Sequence, residues 1–235
     1  MKTKSIFFLL LILVFSCGSS KSSTGSERVS VDDFTSISAS SGIQIYFTEG
    51  KSAAVELEAE NDGNVYIKAQ VINGHLSLSI DNKGKENLRN VKLIAHVSCK
   101  NLKKISLSGG SKFTATELSG KTKSLSASGG ANIKIDKINL NTLNLSMSGG
   151  ASGNFNRIEG DKISISSSGG SSIKANFSKA KDVKVSSSGG ANITLTGGKV
   201  DKVSAIASGA AKINISSLKY GDASVNQSGL GKIVK

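Results

Sequence analysis

The sequence predicts an all-β fold, a parallel β-solenoid (β-helix-like) of about seven 20-residue coils preceded by an irregular β N-terminal cap. Three observations predict it. The tripeptide Ser-Gly-Gly, or a variant of it, recurs seven times at a spacing of 20 residues without insertion or deletion. Polar and apolar residues alternate on both sides of the glycines, as in strands with one buried face. The 235 residues include 26 Gly and no Pro, and internal strands cannot give up the backbone donor that Pro lacks.

Composition excludes several other classes of protein. A Gly at about every ninth position is unfavourable in helical bundles, and collagen needs Gly at every third position together with Pro. A hydrophobic content of 37% disfavours disorder, and two Cys cannot form a disulfide scaffold. An aromatic content of only 5% fits a thin core of Ile, Leu, Val and Ala.

The N-terminus has the features of an export signal. Lys2 and Lys4 precede an apolar run from Ile6 to Phe15, which is too short to span a bilayer as a stable helix. Ser16 and Cys17 follow the run, and the whole segment resembles a bacterial lipoprotein signal. We therefore predict a signal peptide over residues 1–16, lipidation of Cys17, and a Ser/Gly-rich tether over residues 17–28. The predicted location is the bacterial cell envelope, with the lipid anchored in the outer membrane or at a periplasmic face; an ordinary secretory signal with an incidental Cys is the alternative.

Residues 102–235 contain the strict repeats. Twenty residues at about 3.3 Å each close a loop of about 66 Å, the size of one coil in a narrow solenoid. Two strands per repeat are predicted to flank a Gly corner, with a more variable second turn after them. An added residue would move every later column out of register, which explains the constant spacing; an antiparallel hairpin array, the alternative, would not require it. The predicted structural corners are Gly109, Gly129, Gly149, Gly169, Gly189, Gly209 and Gly229.

Residues 29–101 lack the strict spacing but also have strand patterns. The stretch from Phe34 to Ile45 resembles a repeat unit, with Ser41-Gly42 at its corner. Two alternating runs flank Asn73-Gly74, a strong hairpin signal, and a polar loop is predicted over Asn82–Asn90. We predict that this half is continuous with the solenoid and caps its first coil.

Four stretches carry a resemblance to a known family: the ten residues from Ser41 to Gly50, then Tyr66-Ile67-Lys68, Leu88-Arg89-Asn90, and Leu102 to Ile105 leading to Ser108-Gly109-Gly110. They resemble the putative auto-transporter adhesin family with a head GIN domain, although Gln44 replaces the Asn of the Gly-Ile-Asn motif. The resemblance implies an exported bacterial β-repeat lipoprotein of a kind common in Bacteroidota, with no established biochemical activity.

The sequence contains no pattern that predicts catalysis, a metal site or a cofactor. His75 follows a hairpin turn, where exposure explains it, and His96 lies on the polar side of its strand; neither has a Cys or acidic cluster at ligand spacing. Acids such as Asp161 lie mostly in the second turns next to Lys, which is typical of solvated charge mixing. Cys99 lies in an apolar alternation and is predicted to be a buried, unreactive thiol. A carbohydrate-active β-helix enzyme is therefore the least favoured interpretation.

Two serine columns on the outside of the solenoid are the candidate binding face. A flat, rigid and repetitive polar face suits contact with a glycan or a surface protein, although small polar residues also simply keep a strand soluble. The formal charge of +13 could indicate nucleic acid, but exposed aromatics for base stacking are scarce and the export signal argues against it. The predicted face consists of Ser106, Ser108, Ser126, Ser128, Ser146, Ser148, Ser166, Ser168, Ser186, Ser188, Asn132 and Asn192.

We therefore predict a non-enzymatic envelope lipoprotein whose rigid solenoid serves adhesion or ligand binding, attached to a membrane through its lipid. The alternative is a structural or envelope-stress protein without a dedicated ligand. In the last coil Leu230 replaces a Gly, and Lys232 and Lys235 follow it, so edge-to-edge self-association is a further expected interaction there.

Overall fold

The structure, a computed structural model, describes residues 25–60, 65–82 and 92–235. The predicted signal peptide, Cys17, most of the tether and most of the predicted loop over Asn82–Asn90 lie outside these ranges. The strands before the strict repeats are β1 (Gly25–Val29), β2 (Ser36–Ala39), β3 (Gln44–Glu49), β4 (Ala54–Glu60), β5 (Val65–Ile72), β6 (His75–Asn82) and β7 (Lys92–Cys99). The strands of the repeats are β8 (Lys104–Leu107), β9 (Lys112–Ala127), β10 (Asn132–Met147), β11 (Ser152–Ser167), β12 (Ser172–Ser187), β13 (Asn192–Ala207), β14 (Lys212–Gln227) and β15 (Lys232–Val234).

The repeat strands stack in parallel with an offset of 20 residues, which confirms the predicted solenoid. Asn132 pairs with Ser152, Ser152 with Ser172, and Ser172 with Asn192. All the secondary structure of the described residues is strand, and none of it is a helix long and apolar enough to cross a membrane. Because each column contains equivalent residues, one pattern of inward and outward side chains extends along the whole stack.

The second turn differs from the prediction of two strands per repeat. Each strand from β9 to β14 is 16 residues long and continues through the bend, because backbone pairing with the next coil persists there. The register shifts locally at this bend, between Phe155 and Ile158 in one pair of coils and between Gly197 and Lys199 in another. The bend therefore tolerates irregular pairing that the Gly corner does not show.

The Gly corner requires glycine both for its conformation and for its space. Gly149 has a φ of 64°, in the left-handed region that side chains rarely adopt. A Cβ built at Gly149 would lie 3.2 Å from the backbone N of Gly129 in the preceding coil. The corners of successive coils thus stack backbone on backbone, and the Gly150 amide donates to the Gly129 carbonyl at 2.7 Å.

The N-terminal half builds two further coils in an order that differs from the chain order. Strands β2 and β3 pair in parallel with β8 and β9, and on their other edges with β6 and β7. The coil formed first along the chain therefore lies between the later β6–β7 coil and the strict repeats. Antiparallel strands cover the outermost coil. Strand β5 pairs with β6, to which the Asn73-Gly74 turn joins it, and β4 pairs with β7. Strand β1 pairs with the other edge of β4.

A buried polar cluster lies where the second turn of the first strict coil has no coil above it. Lys123 occupies the inward column that Leu143 and Ile163 continue, and is only 4% exposed. Its Nζ lies 3.0 Å from Glu49 Oε1 and donates to the Leu102 carbonyl at 2.6 Å. The Glu49 carboxylate in turn accepts bonds from the Ser119 amide at 2.9 Å and from its hydroxyl at 2.5 Å. The Glu49 carboxylate thus accepts the hydrogen bond of the Ser119 amide, whereas in later coils the equivalent amide bonds to the backbone of a neighbouring strand.

Candidate functional site

The predicted serine columns lie side by side on one flat side of the solenoid, before the Gly corner. We call this side the serine face and define it as the outward side chains of residues 36–40, 75–79, 104–108, 124–128, 144–148, 164–168 and 184–188. The parallel register places Ser106, Ser126 and Ser146 in one column, and the column continues through Ser166 and Ser186. Because neighbouring strands are about 4.8 Å apart, the hydroxyls repeat at that spacing along the solenoid axis.

The serine face also extends into the N-terminal half, which the sequence analysis did not predict. Ser38 pairs with Ser77 on one side and with Ser106 on the other, so both belong to the first column. Ser40 and Ser79 continue the second column by the same register. The alternating pattern of Ser36 to Ser40 was the available signal, but the position of β6 in the stack depends on long-range pairing.

A groove of about 400 Å³ crosses five coils at the N-terminal end of this face. Its volume lies within the range of small-molecule sites. No charged side chain lines it, and small apolar residues such as Ala39 and Leu107 lie between the two serine columns. The ten lining serines, which we call the serine groove, are Ser38, Ser40, Ser77, Ser79, Ser106, Ser108, Ser126, Ser128, Ser146 and Ser148.

The other predicted face residues lie outside the groove. Ser166, Ser168, Ser186 and Ser188 continue the serine face towards the C-terminus, beyond the groove lining. Asn132 and Asn192 lie beyond the Gly corner, in the column that begins at Lys112 on the next side of the solenoid. The structure therefore brings six of the twelve predicted residues together in one concave site.

His75 contacts the groove residue Ser38 and is half-buried rather than simply exposed as expected. Its Nδ1 lies 2.8 Å from Ser36 Oγ and its Nε2 lies 2.8 Å from Ser38 Oγ. One ring nitrogen of a neutral imidazole donates to a serine oxygen and the other accepts from a serine hydroxyl, so the ring holds Ser36 and Ser38 in place. No described carboxylate contacts the ring, so the pair lacks the acid of a Ser-His-Asp arrangement.

His96 lies on the other side of the Gly corner and does not meet His75. Its ring stacks on Tyr46 with centroids 5.4 Å apart, and its Nε2 lies 3.3 Å from Glu58 Oε1. Within the described ranges, no group of three or more His, Cys, Asp or Glu could hold a metal ion.

The acids of the second turns hold neighbouring coils together. Asp161 Oδ1 lies 2.7 Å from Lys181 Nζ, and the hydrogen bond from this ammonium lowers the pKa of Asp161. Glu117 pairs with Lys137 at 2.9 Å in the same way. A general acid would need a raised pKa, so the pKa of Asp161 is shifted in the opposite direction to that of the general acid of a glycosidase.

Cys99 is buried, as expected, and burial raises the pKa of its thiol to about 11. The thiol is therefore protonated and poorly nucleophilic at neutral pH.

The fold and its outer face define a class of protein, the all-β parallel solenoid with an extended polar outer surface. The family model described as "Putative auto-transporter adhesin, head GIN domain" matches residues 33–156 and 152–234. The chain belongs to this family, which confirms the resemblance seen in the sequence. Comparison with curated proteins found no match at the significance required.

Solved structures share the fold at low sequence identity. A putative adhesin from Bacteroides fragilis has a TM-score of 0.71 at 21% identity, covering 90% of this chain and 96% of that chain. A putative adhesin from Parabacteroides distasonis has a TM-score of 0.68 at 20% identity, covering 91% of this chain and 94% of that one. A putative lipid binding protein from the same species has a TM-score of 0.61 at 17% identity, with coverages of 90% and 96%. These likenesses show the solenoid fold. The family and the two adhesins are described as adhesins rather than enzymes.

Proposed function

We propose that the chain is a non-enzymatic, lipid-anchored protein of the bacterial cell envelope that uses the serine groove for adhesion. The observation that carries the proposal is the groove itself, a concave row of ten hydroxyls on a rigid scaffold. A hydroxyl both donates and accepts hydrogen bonds, so a fixed row of them suits a ligand rich in hydroxyls. Membership of an adhesin family supports an exported or cell-surface role.

The absence of charge in the groove favours a neutral glycan over a charged ligand. Strand backbones hold the hydroxyls in place, which limits the entropy lost when a ligand binds. The lowered pKa of Asp161 argues against its acting as the general acid that hydrolysis of such a ligand would need.

Filling the groove should abolish ligand binding. We expect Ser106→Phe combined with Ser126→Phe to lower binding to the best ligand of a glycan array at least about tenfold, because each ring would occupy space between the columns. The matched control is Ser166→Phe combined with Ser186→Phe, which alters the same column outside the groove and should leave binding within about twofold. Equal losses in both variants would place the contact elsewhere. Failure of the unaltered protein to bind any glycan or matrix protein would contradict adhesion.

The anchor requires a separate test. Cys17→Ser should move the protein from the membrane fraction to the soluble extract, because the thiol that carries the lipid is lost. Ser16→Ala, a change at the neighbouring position, should leave it in the membrane fraction. Retention of the Cys17 variant in membranes would contradict the lipid anchor.

A further inference from the structure

Positive charge increases along the solenoid axis. Residues 25–101 contain 8 basic and 10 acidic residues, a net charge of 8 − 10 = −2. Residues 102–161 contain 8 basic and 4 acidic residues, which gives +4, and residues 162–235 contain 11 and 3, which gives +8. The later coils therefore carry most of the charge excess, away from the acidic N-terminal half.

Part of this charge lies on the side that follows the Gly corner, where acidic residues are scarce. We call this side the lysine face and define it as the outward side chains of residues 112–116, 132–136, 152–156, 172–176, 192–196 and 212–216. It carries Lys112, Lys134, Lys174 and Lys212, none of which forms an ion pair with a described residue. Its one acid, Asp136, lies at the edge and accepts a bond from Asn156. The other acids of the repeats lie in the second turns, where Glu117 pairs with Lys137 and Asp161 with Lys181.

The spacing of these lysines follows from the register. Lys134 pairs with Asn154, and Asn154 with Lys174, so the two ammonium groups are two coils apart in one column. Lys212 lies two coils beyond Lys174 in the adjacent column, next to Asn192. Since coils are about 4.8 Å apart, three cations follow the solenoid axis in steps of about 10 Å.

The groups between the lysines indicate the kind of partner. Amides and hydroxyls such as Asn154, Ser172 and Thr194 fill the positions between the cations. These groups hydrogen-bond sugar hydroxyls, whereas a bilayer would be better met by large apolar residues. The exposed large hydrophobic residues within the described ranges are Tyr46, Ile72, Ile206 and Leu230, and of these only Tyr46, in the coil before Thr114, lies on the same side as the lysine face.

We propose that the lysine face binds a linear anionic polysaccharide that lies along the solenoid axis and presents acidic groups to the lysines at intervals of about 10 Å. The ammonium groups neutralise its charges, and the intervening amides and hydroxyls bond its neutral positions. This contact is separate from the serine groove, which lies on the other side of the Gly corner.

The test compares two triple variants of the full-length chain in binding to polygalacturonate at low ionic strength. Lys134→Gln, Lys174→Gln and Lys212→Gln together should weaken binding at least about tenfold, because three exposed charge contacts are lost. The control replaces Lys162, Lys199 and Lys202 with Gln, which removes the same charge from exposed positions of the second turns. It should change binding by less than about threefold. Circular dichroism checks that both variants fold.

Three results would overturn the proposal. Equal weakening in both variants would mean that binding follows net charge and not the lysine face. Binding to neutral dextran as tight as binding to polygalacturonate would remove the role of the cations. Loss of binding to phosphatidylglycerol vesicles in the lysine-face variant, with no binding of polygalacturonate by the unaltered chain, would identify a membrane surface instead. Groove variants should leave polygalacturonate binding unchanged, so this test is independent of the proposed function.

Discussion

Insertion of one Ala between Ser148 and Gly149 is expected to lower the free energy of unfolding by at least about 4 kcal/mol, an exceptional loss for a change of one residue. At this corner the Ser148 amide donates to the Ala127 carbonyl at 3.0 Å, and the Gly150 amide to Gly129 at 2.7 Å. An extra residue would break this pairing or reverse the inward and outward alternation of the strand that follows. Urea unfolding followed by circular dichroism measures the effect.

The matched control is the same insertion between Gly197 and Gly198, in the second turn. The register between β13 and β14 already shifts there, so a further irregularity disturbs fewer backbone pairs. We expect a loss of less than about 2 kcal/mol, similar to that of an ordinary surface change. Equal losses at the two sites would contradict the view that stacked Gly corners hold the register.

Replacement of Lys123 with Met should destabilise the protein by about 3 kcal/mol, because it leaves the partly buried Glu49 carboxylate without its cation. Met retains much of the side-chain volume, so the loss reports on charge and hydrogen bonding more than on packing. The Leu102 carbonyl, which accepts from Lys123 at 2.6 Å, also loses its donor. The free energy of unfolding in urea is the measurement.

Two further variants separate the ion pair from general effects. Lys121→Met changes an exposed residue of the same strand and should stay within about 0.5 kcal/mol of the unaltered protein. Adding Glu49→Gln to Lys123→Met should recover part of the loss, because no uncompensated charge is left buried. The result that would contradict this explanation is a double variant that is no more stable than Lys123→Met alone. The unpaired carboxylate would then not be the cause of the loss.

The same pair makes stability depend on pH. Burial raises the pKa of Glu49, but hydrogen bonds from Ser119 and the pairing with Lys123 outweigh it, so the pKa lies below its ordinary value of 4.5. A lowered folded-state pKa contributes stability that is present above the unfolded-state value and is lost as pH falls through the folded-state pKa. Below about pH 4.5 the unaltered protein should therefore lose more stability than Glu49→Gln does.

Much of the fold could be predicted from local pattern because the repeat is strict. The Ser-Gly-Gly spacing predicted the parallel stack, and period-two alternation separated buried positions such as Ile133 from outward ones such as Ser126. The second turn was predicted less well, because 16-residue strands continue through it and nothing in its variable composition indicates continuous pairing. Lys123 was also not predicted to be buried, although the apolar residues Leu143 and Ile163 in its column were the available signal of an inward position.

The sequence by itself determined the coil length, the position of the Gly corner and the polar composition of the outer face. These properties repeat every 20 residues and depend on contacts between equivalent positions, so they can be read by comparing the repeats of this one chain with each other. Only the tertiary structure decided that β2 and β3 lie between the β6–β7 coil and the first repeat, because strand pairing over tens of residues has no periodic signal. That placement joins Ser38 and Ser77 to the repeat serines and brings His75 into contact with Ser38. It also places Glu49 beside Lys123, where a carboxylate from outside the repeats completes the first coil.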